Sequence, residues 1–221
     1  MSRRYDAVLL DAFGTLITVD DPFVRLRDAV AEALAINVPL ADAEAAFLAE
    51  MTYYADHCHE GRDPASLDVL HAECAAIVLE RLGIELDPQV AVRLLGHSIR
   101  YRAYADAPPA LAGLCAAQVP VAVVSNADYT LPGMLEQAGL RLEHVCSSAA
   151  TGSSKPDPGI FRAALAELGA DPRRTLHVGD TPAADAAGAR AAGVDVRIID
   201  RSDAGGGDTI GALTEILELI G

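Results

Sequence analysis

Four separated stretches of this chain carry residues whose types and spacing can do chemistry. They are "LLDAFGTL" (9–16), "VVSN" (123–126), "SSKPDPGIF" (153–161) and "HVGDTPAAD" (177–185). Asp11 ends an apolar run, where a carboxylate can act as a nucleophile and split one hard step into two through a covalent intermediate. The hydroxyls of Thr15 and Ser125, helped by backbone N–H groups of their turns, suit an anionic group. Asn126 either positions the substrate or caps the helix that follows. Lys155 can neutralise charge on Asp11 and on a group in transfer. Asp180 and Asp185 add paired acids opposite Asp11. Three converging carboxylates repel one another unless a cation sits among them, and carboxylate oxygens with retained waters suit Mg²⁺.

Composition narrows the partners. Of 17 basic residues 16 are Arg, and Lys155 is the single lysine. An ammonium offers what a guanidinium does not, a compact point charge on a slim stem; the plain alternative is a chance lysine in an Arg-rich chain. The formal charge of −15 repels nucleic acid and anionic membranes at long range, so a small-molecule substrate is expected. An anionic substrate stays open, because the local field of a pocket can oppose the global one. Cys58, Cys74, Cys115 and Cys146 lie far apart without a C-x-x-C pair, which supports neither a metal cluster nor a disulfide framework. No apolar run reaches the about 18 residues of a membrane span. "MSRRYDAVLLDAFG" is short and broken by Asp6 and Asp11, and reads as a strand rather than a signal peptide. The expected location is the cytoplasm.

The elements that must position these residues follow from periodicity. "YDAVLLD" (5–11) is a buried strand. Residues 20–103 turn helical, with candidate helices at 22–36, 40–58, 65–82 and 88–103, broken at 37–39, 61–64 and 83–88. From 106 the chain alternates: helix 109–117, strand 119–124, helix 128–138, strand 143–147, helix 157–169, strand 174–178, helix 182–192, strand 194–199, a Gly-rich turn at 203–207 and a final helix at 208–220. Strands alternating with helices mean an α/β fold, a parallel sheet with helices on both faces. The all-helical block is an insert after the first strand. In open parallel sheets ligands bind beyond the carboxyl ends of the strands, and Asp11, Ser125 and Asp180 all fall there. The glycine cluster near 205 lies far from these signals and reads as a surface loop.

In order and spacing the four stretches resemble the four motifs of the haloacid dehalogenase superfamily. The resemblance implies a Rossmann-like core at 1–19 and 104–221 and a helical cap at 20–103. By similarity to the phosphatases of that family, Asp11, Asp180 and the backbone carbonyl of Phe13 would ligate Mg²⁺. Asp185 would ligate through water or partner Lys155.

One position departs from the phosphatase pattern. Those enzymes usually carry Asp two residues after the nucleophile, to protonate the leaving group and then activate water; here Phe13 can do neither. General acid–base catalysis typically contributes about 10²–10⁴-fold, so alkyl phosphate esters should be poor substrates and acyl phosphates better ones. An aromatic here also resembles the 2-haloacid dehalogenases of the family, which need no metal. Against them stand the metal-type "GDTPAAD", Phe161 where they use Tyr, and no clear match for their early-cap Arg, for which Arg25 or Arg27 would have to substitute. The expectation is a Mg²⁺-dependent phosphohydrolase. A dehalogenase, or a binder of phosphorylated ligands without efficient turnover, is the alternative. Tyr53 and His57, at i, i+4 spacing in "YYADHCH", are candidates to replace the missing acid, against ordinary packing. His177 reads as structural.

Overall fold

The computed structural model describes residues 3–202 and 207–221. It divides into two compact units, one made of residues 1–18 and 102–221, the other of Val19–Tyr101. The chain leaves the first unit within β2 (Ile17–Val19) and returns within β3 (Tyr101–Ala103), two short strands paired with each other.

The first unit is built on a six-stranded sheet. Its strands are β1 (Ala7–Leu10), β4 (Val121–Ser125), β5 (His144–Ser147), β6 (Thr175–Gly179), β7 (Asp195–Ile199) and β8 (Thr209–Ile210). They run parallel in the order β5-β4-β1-β6-β7-β8. β1 and β6 are buried along their whole length, as strands covered on both faces must be, and hence read as near-continuous apolar runs. Helices α5 (Ala107–Ala116), α6 (Leu131–Gln137), α7 (Ser148–Thr151), α8 (Pro158–Leu168), α9 (Ala187–Ala191) and α10 (Ile216–Leu219) complete the unit. One core cluster joins Leu9 of β1 and Val124 of β4 to Ile160, Phe161 and Ala164 of α8 and Val196 of β7.

The register sets the active edge. Leu10 pairs with Val123 on one side and Val178 on the other, and the Asp11 N–H donates to the Val178 carbonyl at 2.9 Å. Asp11, Ser125 and Asp180 therefore leave the same edge of three adjacent strands.

Several boundaries differ from the sequence reading. The helix expected at 88–103 ends at Ser98, and Tyr101–Ala103 is a strand; aromatic and β-branched residues (Ile99, Tyr101) favour strand once a partner is at hand. The helix expected at 182–192 splits into a wide π-type turn, Pro182–Ala186, and α9. The final helix expected at 208–220 shrinks to α10 behind a 3-10 turn, because Thr209–Ile210 extends the sheet beside β7. Most of the Gly-rich turn, 203–206, lies outside the described residues.

The second unit packs four helices: α1 (Pro22–Leu34), α2 (Leu40–His57), α3 (Pro64–Leu82) and α4 (Pro88–Ser98). Asp63 and Ser66 form a reciprocal cap at the start of α3, and Asp87 caps α4. Such caps are worth about 1 kcal/mol each. No helix among the described residues is long and apolar enough to cross a membrane.

Glu50 is an acid in the core of this helical unit, 5% exposed. Burial pushes its carboxyl up to about 6 from 4.5, against a hydrogen bond with the Cys74 thiol that lowers it. Its folded value lies above its unfolded one. The neutral form therefore carries no penalty below the unfolded value, and stability is lost as pH rises through the folded one. The difference is worth about 2 kcal/mol. Glu50→Gln is expected to be more stable than the wild type by roughly that amount near pH 7.5 and equal to it near pH 4, measured by urea unfolding at both. A constant difference across this range would assign the effect to packing instead.

Candidate active site

Asp11 leaves β1 almost fully buried, at 4% exposure. Its Oδ1 accepts from Ser125 Oγ at 2.8 Å and from Lys155 Nζ at 2.6 Å. Lys155 Nζ also donates to Asp185 Oδ1 at 2.7 Å. The only lysine of the chain thus bridges two buried carboxylates. Burial disfavours its ammonium, yet Asp11 and Asp185 outweigh that and hold its pKa above the ordinary lysine value.

Asn126 takes a place the sequence did not suggest. Its Oδ1 accepts from the Lys155 N–H at 2.7 Å and its Nδ2 donates to the Lys155 carbonyl at 2.9 Å. It cannot cap the next helix, because α6 starts five residues later behind Thr130. A bidentate amide here fixes the Lys155 backbone, and so the reach of the ammonium; the expected capping role gives way to this clamp. Ser125, expected to bind the substrate, here donates its hydroxyl to Asp11. Thr15 is fully buried, and its Oγ1 has no hydrogen-bond partner among the described residues. An orphaned buried hydroxyl costs about 1–3 kcal/mol, a cost that a ligand oxygen would relieve.

Carboxylate oxygens of Asp11, Asp180 and Asp185 lie within 4.8 Å of one another. Two glycines make room for them. A Cβ on Gly14, whose φ is +76°, would meet Asp180 Oδ2 at 2.1 Å, and one on Gly179 would meet the Asp185 carboxyl carbon at 2.2 Å. Asp185 carries protein partners on both oxygens: its Oδ1 takes Lys155 and His177, and its Oδ2 accepts from the Thr181 N–H at 3.0 Å. Burial opposes its charge, but the His177 hydrogen bond and the Lys155 ammonium prevail and hold its carboxyl well below the usual range. Asp180 goes the other way. Desolvation and the neighbouring charges of Asp11 and Asp185 raise its pKa against weaker help from Thr181 and Lys155. Three acids share one ammonium here, and the unpaired charge falls on Asp180. The set fits a hard divalent cation with oxygen ligands. Phe13, on the turn between Asp11 and Gly14, is half-buried and brings no acid.

His177, which the sequence reads as structural, is fully buried; its Nε2 lies 2.9 Å from Asp185 Oδ1 and its ring meets Phe161 edge-on at 4.9 Å. The signal was available: residues alternate faces along a strand, so His177 shares a face of β6 with Gly179, the residue that abuts Asp185. Tyr53 and His57 do share a helix face, their rings stacked at 4.2 Å. Both are committed within the helical unit. The Tyr53 hydroxyl donates to Glu73 Oε2 at 2.9 Å and its pKa is pushed up to about 12, chiefly by that bond. His57 Nδ1 pairs with Glu60 at 2.9 Å. Arg25 and Arg27 are likewise paired, with Asp20 and Asp28.

A family model of haloacid dehalogenase-like hydrolases matches residues 5–193. The chain belongs to this family of hydrolases. Among curated relatives, bovine (Bos taurus) haloacid dehalogenase-like hydrolase domain-containing protein 3 is 45% identical over 76 residues, 34% of this chain and 30% of that protein. The phosphoserine phosphatase of Thermus thermophilus is 35% identical over 108 residues, 46% of this chain and 42% of that protein. The chain thus spans less than half the length of either relative. An L-2-haloacid dehalogenase structure from Xanthobacter autotrophicus aligns with a TM-score of 0.71 at 23% identity over 98% of each chain. A HAD phosphatase structure from Thermococcus onnurineus aligns with a TM-score of 0.64 at 23% identity, again over 98% of each. These likenesses show the fold, which both kinds of haloacid dehalogenase-like enzyme share.

Proposed function

We propose that this haloacid dehalogenase-like hydrolase is a Mg²⁺-dependent phosphohydrolase acting on a small phosphorylated metabolite through an aspartyl-phosphate on Asp11. The observation that carries the reading is the third acid. Asp180 shares a cluster with Asp11 and Asp185 and forms no ion pair of its own among the described residues, and desolvation together with the charges of Asp11 and Asp185 raises its carboxyl. Displacement of halide by a carboxylate gives no reason to place it there; binding of a divalent cation does. Asp11 and Asp180 would hold the ion with the Phe13 carbonyl, and Asp185 would reach it through water, because its oxygens already carry protein donors. When bound, Mg²⁺ neutralises the acidic cluster and the phosphoryl oxygens.

Both protein donors to Asp11 fall on Oδ1, which leaves Oδ2 to attack. The Oδ2–P bond forms, the bond from phosphorus to the leaving oxygen breaks, and the electron pair departs on that oxygen. Lys155 offsets charge on Asp11 and on the transferring group. Thr15 offers its unpartnered hydroxyl to a phosphoryl oxygen. Ser125 can turn its proton the same way once Asp11 has given up its charge to the new bond. Phe13 supplies no proton, so the leaving group departs as an anion. That suits a carboxylate leaving an acyl phosphate far better than an alkoxide. Water then hydrolyses the aspartyl-phosphate.

The test offers the purified chain an acyl phosphate, an alkyl phosphate and a 2-haloacid, each with Mg²⁺ and with EDTA. The acyl phosphate is expected to turn over at least about 10²-fold faster than the alkyl ester, and EDTA to abolish both. Halide release that survives EDTA would establish the dehalogenase, the reading the aromatic Phe13 favours. Binding of phosphate without turnover of any substrate would make this a binding protein.

A further inference from the structure

We propose that Arg201 is a positioning residue for the Gly14–Thr15 turn, clamping it in place through Asp106 and Tyr104. The inference rests on the hydrolase reading of that turn. Arg201 follows β7 and reaches the opposite end of the sequence. Its Nη1 donates to the Gly14 carbonyl at 2.7 Å and its Nη2 to the Thr15 carbonyl at 2.8 Å. The same guanidinium grips Asp106, with Nη2 to Oδ1 at 2.9 Å and Nε to Oδ2 at 3.3 Å. Its carbon stands 3.8 Å from the centre of the Tyr104 ring. Asp106 is fixed in turn by the Leu213 N–H, 2.9 Å from Oδ2.

Two consecutive carbonyls of a turn taken by one planar cation, itself stacked on a ring and paired edge-on with a carboxylate, is a rigid arrangement. It uses what separates arginine from lysine, a forked planar donor set and a stacking face. The turn it holds needs such precision. Gly14 abuts Asp180 so closely that a Cβ would not fit, and the next residue carries the orphaned Thr15 hydroxyl. Freed from the clamp, the turn would carry that hydroxyl away from the transferring group. A shift of about 1 Å in a positioned group can cost about 10²-fold in rate.

The test compares Arg201→Ala, Arg201→Lys, Thr15→Ala and the double variant Arg201→Ala/Thr15→Ala, with Arg190→Ala, which removes an exposed pair with Asp208, as control. Hydrogen exchange is followed over residues 12–18. Affinity for inorganic phosphate in Mg²⁺ is measured by calorimetry, and kcat and KM with an acyl phosphate. Exchange over 12–18 is expected to quicken in both Arg201 variants while β1 and β6 stay protected. The value of kcat/KM is expected to fall by about 10²-fold, phosphate binding to weaken, and lysine not to restore either. Added guanidinium should recover part of the loss in Arg201→Ala. The double variant should lose little more than the worse single one, because both changes act through one hydroxyl. Additive losses, unchanged exchange over 12–18, or exchange quickened across the whole sheet would each overturn the proposal. If the wild type turns over no phosphate substrate, the phosphohydrolase reading fails, and exchange together with phosphate affinity still decides whether Arg201 positions the turn.

Discussion

Lys155→Met is expected to lose turnover by at least about 10³-fold and to lose about 3–5 kcal/mol of stability. The two losses have separate causes. Lys155 lies between Asp11 and Asp185, both almost fully buried, and donates to each at 2.6 and 2.7 Å. Methionine fills the space but leaves two buried carboxylates without their counter-charge, and Asp180 adds a third within 4.8 Å. Breaking a buried pair from one side strands the other charge, which is the costly case. Removing both sides is not. Lys155→Met/Asp185→Asn should regain only part of the stability, because Asp11 still stays buried without a counter-charge, and Lys155→Met/Asp11→Asn/Asp185→Asn should regain most of it, while turnover stays lost in both. Urea unfolding and initial rates with an acyl phosphate separate the two. Lys155→Arg should fail as well: the pocket admits one amine between two carboxylate oxygens, and a planar fork has no such fit. Near wild-type rates in Lys155→Met would remove the lysine from the chemistry.

The lysine also shows how far the sequence could be read. Its singularity in an Arg-rich chain and its place before α8 pointed to a compact charge, and the fold sets it between two acids. The active edge was legible for a related reason. Parallel strands are apolar on both faces, so a polar residue that ends such a run stands out, and Asp11, Ser125 and Asp180 all do. What was not legible depended on partners distant in sequence. Tyr101–Ala103 reads as the tail of a helix until β2 is beside it. Thr209–Ile210 is too short to announce itself as a strand without β7. Asn126 has the look of a cap or a substrate contact, and only the return of the chain at residue 155 turns its amide into a clamp. The Asp185 contact of His177 and the turn contacts of Arg201 were missed for opposite reasons: one residue hides in an apolar strand, the other sits among arginines that mostly pair at the surface. Each is found by asking which strand face, or which strand end, it occupies.

Phe13→Asp is expected to raise alkyl phosphate hydrolysis by about 10²–10⁴-fold, the usual contribution of a placed acid–base group. The effect on acyl phosphate should be much smaller in the first half-reaction, because a carboxylate leaves without a proton. The second half-reaction supplies a separate readout. Hydrolysis of the aspartyl-phosphate needs water to lose a proton as it attacks, and Phe13 accepts none. The wild type should therefore accumulate phosphoenzyme when given an acyl phosphate, seen as a burst of product equal to the enzyme present, followed by a slower steady rate. Phe13→Asp should shorten the life of that species and flatten the burst. The new acid would enter beside three carboxylates, so its benefit should appear only with Mg²⁺ present, when the cluster is neutralised; without the ion its own pKa would be driven up by its neighbours. A folded Phe13→Asp protein with wild-type rates on both esters and an unchanged burst would mean that another group already moves the proton. The Nδ1 of His177, without a partner among the described residues, is no such group, being fully buried, and the Tyr53 hydroxyl is held in its hydrogen bond to Glu73. The test of Phe13 thus decides whether this active site works without an acid or has one still to be found.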